Sequence, residues 1–130
     1  MSTLTISQWQ DSFEKELLKR EVKVFYDPRL KKSLGRYCGN IYISKDLESN
    51  AEETLIVTVH ETVHFLQQER GLLIGVNPSR AYNPLLTEKQ ESAIDKIVKE
   101  YYSKEEWDLE IPAWSLQYNK ELVFQYLRNS

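Results

Sequence analysis

The only two histidines of this chain, His60 and His64, stand four residues apart in a segment with helix-start signals on one side and a helix-stop signal on the other. Ser49 with Glu52, or Asn50 with Glu53, forms a capping box before the segment, and Gly71 follows Arg70 as a residue able to take a left-handed backbone. A helix between those limits puts both imidazoles on one face, a single turn apart, where they can be offered to one ion. Glu61 lies about 100° round the helix from His60, beside that pair, placed to receive a proton from metal-bound water without being a ligand. Leu55, Val59, Val63 and Leu66 form one apolar stripe and Ile56 bridges toward the histidines, so the motif is expected at the edge of the core. Such a five-residue pattern arises by chance in roughly one domain of this size in several hundred. The plain alternative, two hydrogen-bonded core histidines, needs that coincidence.

With 130 residues the chain is expected to form one domain, 1–130, large enough to bury a core without staples. The single cysteine, Cys38, has no internal partner, and the first ten residues carry neither a basic stretch nor an apolar run of signal-peptide length, so a cytoplasmic protein is expected. No apolar run approaches the ~18 residues of a membrane span. A net charge of −3 with interspersed signs gives no reason to expect nucleic-acid binding. Arg29, Lys31, Lys32 and Arg36 cluster in sequence and read as a solvated loop.

Ser7 and Gln10 make a capping pair, and Trp9, Phe13 and Leu17 follow at spacings of four, predicting a helix over about 8–20. Val22, Val24 and Tyr26 alternate in a strand that Asp27 and Pro28 end. Gly39-Asn40 separates Arg36-Tyr37-Cys38 from Ile41-Tyr42-Ile43 and suits a tight hairpin, giving about three strands. Residues 72–86, with two Asn-Pro pairs and no helical period, read as a long ordered loop. Thr87 and Gln90 open a helix to about Tyr102. Ser103 and Glu106 open the last, with a kink or restart expected near residues 108–111 because of Pro112. The expected fold is α+β: an N-terminal helix, a small three-stranded sheet, a central motif helix and a helical C-terminal half.

Catalytic zinc usually takes three protein ligands and leaves a fourth position for water or substrate. With no third histidine and a lone cysteine, a carboxylate is the economical choice. Glu110 stands in a segment rich in packing residues, where Ala113 allows close approach of that helix to the motif helix. Glu91 is the alternative, with Asp95 one turn on, in a strongly charged helix. For an oxyanion donor, Arg80, Tyr82 and Tyr118 are candidates that spacing does not rank.

At His60, Glu61 and His64 the chain resembles the gluzincin side of the zincin metallopeptidases, whose His-Glu-x-x-His motif is followed by a glutamate ligand on a later helix. The order of elements is similar to that of the minimal zincin domains of the SprT-like and ImmA-like groups and small phage-type peptidases. Glu110 and Ala113 match the Glu-x-x-Ala pattern of the ImmA-like and phage-type members, and Glu91 and Asp95 match the Glu-x-x-x-Asp of larger gluzincins. The later histidine of the SprT-like group has no counterpart here, and Pro112 departs from the pattern around Glu110. The resemblance implies a minimal zincin-like fold binding Zn²⁺, with Glu61 as general base and a narrow set of intracellular protein or peptide substrates. It also implies that Ile41, Tyr42 and Ile43, in an edge strand over 40–44, pair with extended substrate. The alternative is a catalytically silent zincin-like module that holds zinc or a peptide and acts on a partner protein as a host- or phage-directed effector.

Overall fold

The computed structural model describes residues 3–130. Its first helix, α1 (Ile6–Leu18), starts earlier than the Ser7–Gln10 pair suggests, because Thr5 and Gln8 satisfy each other's amides at 3.1 and 2.9 Å. Gln10 is then free to reach the motif helix, where its Nε2 donates to Thr58 Oγ1 at 2.9 Å. Glu21 takes a positive φ of 62°, and the Val22 amide returns to Leu17 O, so the chain turns there and the strand begins later than expected.

Three strands follow, β1 (Val24–Asp27), β2 (Gly35–Cys38) and β3 (Asn40–Ser44). Cys38 pairs with Asn40, so the turn contracts to Gly39 at φ 72°, a conformation that glycine adopts at little cost. The sheet order is β1-β3-β2, with β3 parallel to β1 and antiparallel to β2. This corrects the expected substrate strand: Ile41, Tyr42 and Ile43 lie in the central strand, paired on both sides, with both isoleucines fully buried. A hairpin sequence does not say which of its strands takes a third partner. Here the choice falls on β3, because the Asn40 side chain accepts the Lys23 amide and the Ile41 amide bonds Lys23 O, each at 2.9 Å. The edge strands are β1 and β2.

α2 (Ala51–Arg70) starts and stops where its sequence predicts, although only one half of the Asn50–Glu53 box forms, the Asn50 amide bonding Leu47 O. Asn50 accepts the Glu53 amide at 3.0 Å, and Gly71, at φ 65°, sends its amide back to Gln67 O. Eleven of its twenty residues are buried, more than one stripe can account for. Beyond Leu55, Val59, Val63 and Leu66, the flank formed by Val57, Thr58, Thr62 and Phe65 is covered as well. Thr58 and Thr62 tolerate burial because each hydroxyl donates to the carbonyl four residues back. One core cluster therefore forms around α2, joining Phe13 and Leu17 of α1, the isoleucines of β3, and Ala113, Leu116, Val123 and Leu127 from the C-terminal helices.

The expected loop over 72–86 contains a short helix, α3 (Ser79–Tyr82). α4 (Glu88–Tyr101) opens on the predicted Thr87–Gln90 box and packs Ile94 and Val98 against Leu86 and Ile111. α5 (Trp107–Leu116) runs through Pro112 without restarting. Proline removes the amide that would bond Asp108 O, and the Gly75 amide occupies that carbonyl at 2.9 Å instead. The break falls later, at residues 117–119, where Asn119 caps α6 (Lys120–Arg128) by accepting the Leu122 amide. The architecture is α+β as expected, six α-helices with a three-stranded mixed sheet among the described residues. No described helix is long and apolar enough to cross a membrane.

Candidate metal centre

His60 and His64 project from one face of α2 toward α5, with ring centroids 5.0 Å apart. α5 meets them with Glu110: Oε1 lies 3.2 Å from His60 Nε2 and Oε2 lies 3.1 Å from His64 Nε2. Ala113, one turn beyond Glu110, is fully buried and carries only a methyl group, too small to hold the helices apart. On the outer side, His60 Nδ1 is 2.7 Å from Gln117 Oε1 and His64 Nδ1 is 2.8 Å from Gln67 Oε1. The Trp114 and His60 rings meet edge to face, with centroids 5.8 Å apart. Of the two candidate third ligands, the structure brings Glu110 to the histidines. Glu91 stands elsewhere, accepting the Arg80 amide at 2.8 Å as a cap on α3.

Ligand atoms of His60, Glu61 and His64 all lie within 4.8 Å of one another, so this group could hold a metal ion. Glu110 faces the same group from α5 and sets one oxygen against each Nε2. The donor set suits a dication. Two imidazoles whose outer nitrogens face carboxamide oxygens turn their inner nitrogens on a carboxylate, and only a proton or a cation between them makes that arrangement attractive.

Without metal, a proton on His64 serves. Burial opposes charge on Glu110, yet the hydrogen bonds and charges of His60 and His64 hold its carboxyl at about 2. Burial likewise opposes charge on His64, but Glu110, Glu61 and Gln67 push it up to about 9. The raised histidine stabilises the fold below its ordinary value of 6.5 and loses that contribution as pH rises through about 9. The lowered glutamate stabilises it above 4.5 and loses its contribution as pH falls through about 2. The melting temperature of metal-free protein should therefore peak between those ordinary values, 4.5 and 6.5, and decline toward alkaline pH. Scanning calorimetry across pH checks this, and saturating zinc should flatten the alkaline decline.

Glu61 is 5 % exposed and lies between β2 and the imidazole pair, with a carboxylate oxygen within 4.8 Å of a nitrogen of each histidine. Burial raises its pKa against the charges of His60 and His64 and the Tyr37 amide, which favour the carboxylate. β2 comes this close because residue 35 is glycine. A Cβ there would collide with Val57 Cγ1 and lie 3.2 Å from Glu61 Cγ and Oε2. Gly35→Ala should cost about 1–3 kcal/mol of stability by forced overpacking and displace the strand from Glu61, measurable by denaturant unfolding and by loss of whatever activity the site has.

Two cavities meet at the centre. One of about 390 Å³ runs past His60 between Leu34, Ile56, Val57, Trp114 and Tyr118; another of about 290 Å³ runs past His64 beside Arg36, Gln68 and Leu109. Tyr102 lines both, a residue that sequence analysis passed over because it follows a charged helix like any capping aromatic. Its hydroxyl accepts from Trp114 Nε1 at 3.2 Å. Of the expected oxyanion donors, Tyr118 lines the first cavity, whereas Tyr82 is bonded to Asn77 and Arg80 pairs with Glu88. Gln67 was legible in outline, being three residues from His64 on the same helix face. Comparison of the chain with protein-family models, curated proteins and solved structures gave no match.

Proposed function

We propose that this chain is a zinc-dependent metallopeptidase of the minimal zincin kind, acting on a narrow set of intracellular proteins. The observation that supports this best is the division of labour between its two glutamates. Glu110 spans both Nε2 atoms from α5 as a ligand does, and Glu61 lies beside the pair against β2, within reach of water held there, as a base does. His60, His64 and Glu110 would hold the ion. Bound there, zinc supplies Lewis acidity, polarising a carbonyl and bringing the pKa of water near ~7.

The chain's own residues do the rest. Glu61 takes the proton of the attacking water and passes it to the leaving amine. The Ser44 amide bonds Leu34 O, so alternation along β2 turns the backbone groups of Gly35 and the carbonyl of Tyr37, whose amide is turned to Glu61, to its free edge, next to the centre. An extended peptide can pair with that edge, gaining main-chain hydrogen bonds with little sequence selectivity. Tyr102 accepts from Trp114 and keeps its own hydrogen for the carbonyl oxygen that gains charge. Tyr102→Phe should lower kcat by about 10²–10³-fold, the usual cost of one oxyanion donor, with KM and zinc content unchanged.

Elemental analysis of protein purified without added metal, paired with hydrolysis of an unstructured protein substrate and a peptide library, tests the proposal. About one zinc per chain and metal-dependent cleavage support it. No metal after zinc is offered removes it. Zinc without cleavage of any substrate replaces it with a binding module.

A further inference from the structure

The two glutamines against the imidazoles are not equivalent. Gln67, 3 % exposed, uses both ends of its carboxamide. Its Nε2 donates to Leu73 O at 2.8 Å and to Leu109 O at 2.9 Å, so the end facing His64 Nδ1 at 2.8 Å is the oxygen. A carboxamide oxygen only accepts, so His64 Nδ1 carries hydrogen and Nε2 is the nitrogen turned to Glu110. Leu73 presents its carbonyl from a φ of 57°, uncommon for a residue with a Cβ, and Leu109 immediately precedes Glu110. One buried side chain thereby ties a histidine, the segment that leaves α2 and the backbone next to the third carboxylate.

We infer that Gln67 is a positioning residue of the metal centre: it fixes His64 in the Nδ1–H tautomer and, by bridging Leu73 and Leu109, sets the separation of His64 from Glu110. The inference rests on the metal site proposed above and deepens it. Gln117 performs only the first half of this task. Its Oε1 faces His60 Nδ1 at 2.7 Å, and its Nε2 has no bond within the described residues. A carboxylate can therefore stand in for the carboxamide at position 117, where only an acceptor is needed. At position 67 it cannot, because it would set an anion against two carbonyl oxygens and donate to neither.

The experiment measures zinc affinity by competition with a chromogenic chelator for wild type, Gln67→Glu, Gln67→Met, Gln117→Glu and Gln117→Met. The melting of each metal-free protein and the ring-nitrogen NMR spectrum of zinc-loaded wild type accompany it. Gln67→Glu, Gln67→Met and Gln117→Met should each bind zinc about 10–100-fold more weakly, the usual cost of removing the group that orients a ligating histidine. Gln117→Glu should stay within a few-fold of wild type, a rescue that a merely structural role would not produce. The His64 ring of wild type should carry its proton on Nδ1 in slow exchange with water. Equal affinity of Gln67→Glu and wild type, or equal losses in Gln67→Glu and Gln117→Glu, overturns the inference while leaving the metal site in place. Should the Gln67 variants fail to fold, the wild-type spectrum decides, since a His64 ring protonated at Nε2 overturns it alone. A wild type that binds no zinc removes both proposals together.

Discussion

Glu61→Gln should retain the metal and lose about 10²–10⁴-fold in peptide hydrolysis, the range that general-base catalysis contributes. Glutamine preserves the shape of the side chain in a place that is 5 % exposed and hemmed by Gly35 and Val57, so repacking is not required. It cannot take a proton from water. The substitution should also leave the fold at least as stable at neutral pH. Burial raises the Glu61 pKa, so the native site disfavours this carboxylate relative to the unfolded chain, and a neutral amide relieves that cost. Zinc content, turnover of a cleaved peptide and a thermal melt read all three effects. A variant that cuts as fast as wild type removes Glu61 from the chemistry, and one that loses its zinc makes Glu61 a ligand.

The second large effect separates the two candidate ligands. Glu110→Ala should weaken zinc binding by more than about 100-fold, since even the groups that orient ligating histidines cost about 10–100-fold when removed. It also leaves two inward nitrogens with no anion between them, where the native carboxylate sets one oxygen on each at 3.2 and 3.1 Å. Glu91→Ala should leave zinc affinity unchanged and cost roughly 1 kcal/mol of stability, the net worth of its bond to the Arg80 amide. Isothermal titration of zinc into metal-free protein, with urea melts of both variants, resolves the comparison. A reversed order would move the third ligand to α4.

Gly35 and Pro112 show how the geometry around the imidazoles is set by residues with no chemistry of their own. Gly35 admits the edge strand to Glu61 because it has no Cβ, and Pro112 exposes the Asp108 carbonyl to which the Gly75 amide is moored. That mooring holds the segment containing Leu73 beside Gln67. The proline that argued for a broken helix around Glu110 instead lies within an unbroken one, because a tertiary hydrogen bond satisfies what it leaves bare.

Local rules determined much of this protein. Asn50 and Gly71 bound α2, the four-residue spacing of His60 and His64 set both imidazoles on one face, and the Thr87–Gln90 box opened α4. These are short-range effects of backbone amides and helical period, so they are written in consecutive residues. Tertiary structure decided the rest. It chose β3 over β2 as the central strand, which moved the free edge from Ile41, Tyr42 and Ile43 to Gly35 and Tyr37. It sent Glu110 rather than Glu91 to the imidazoles, brought Tyr102 and Gln117 around them, and tied Gln67, a helix neighbour of His64, to Leu109 O. Each of those outcomes depends on which surfaces pack across a separation of many residues. A carboxylate or a strand looks the same in sequence whether its partner is solvent or the centre of the site.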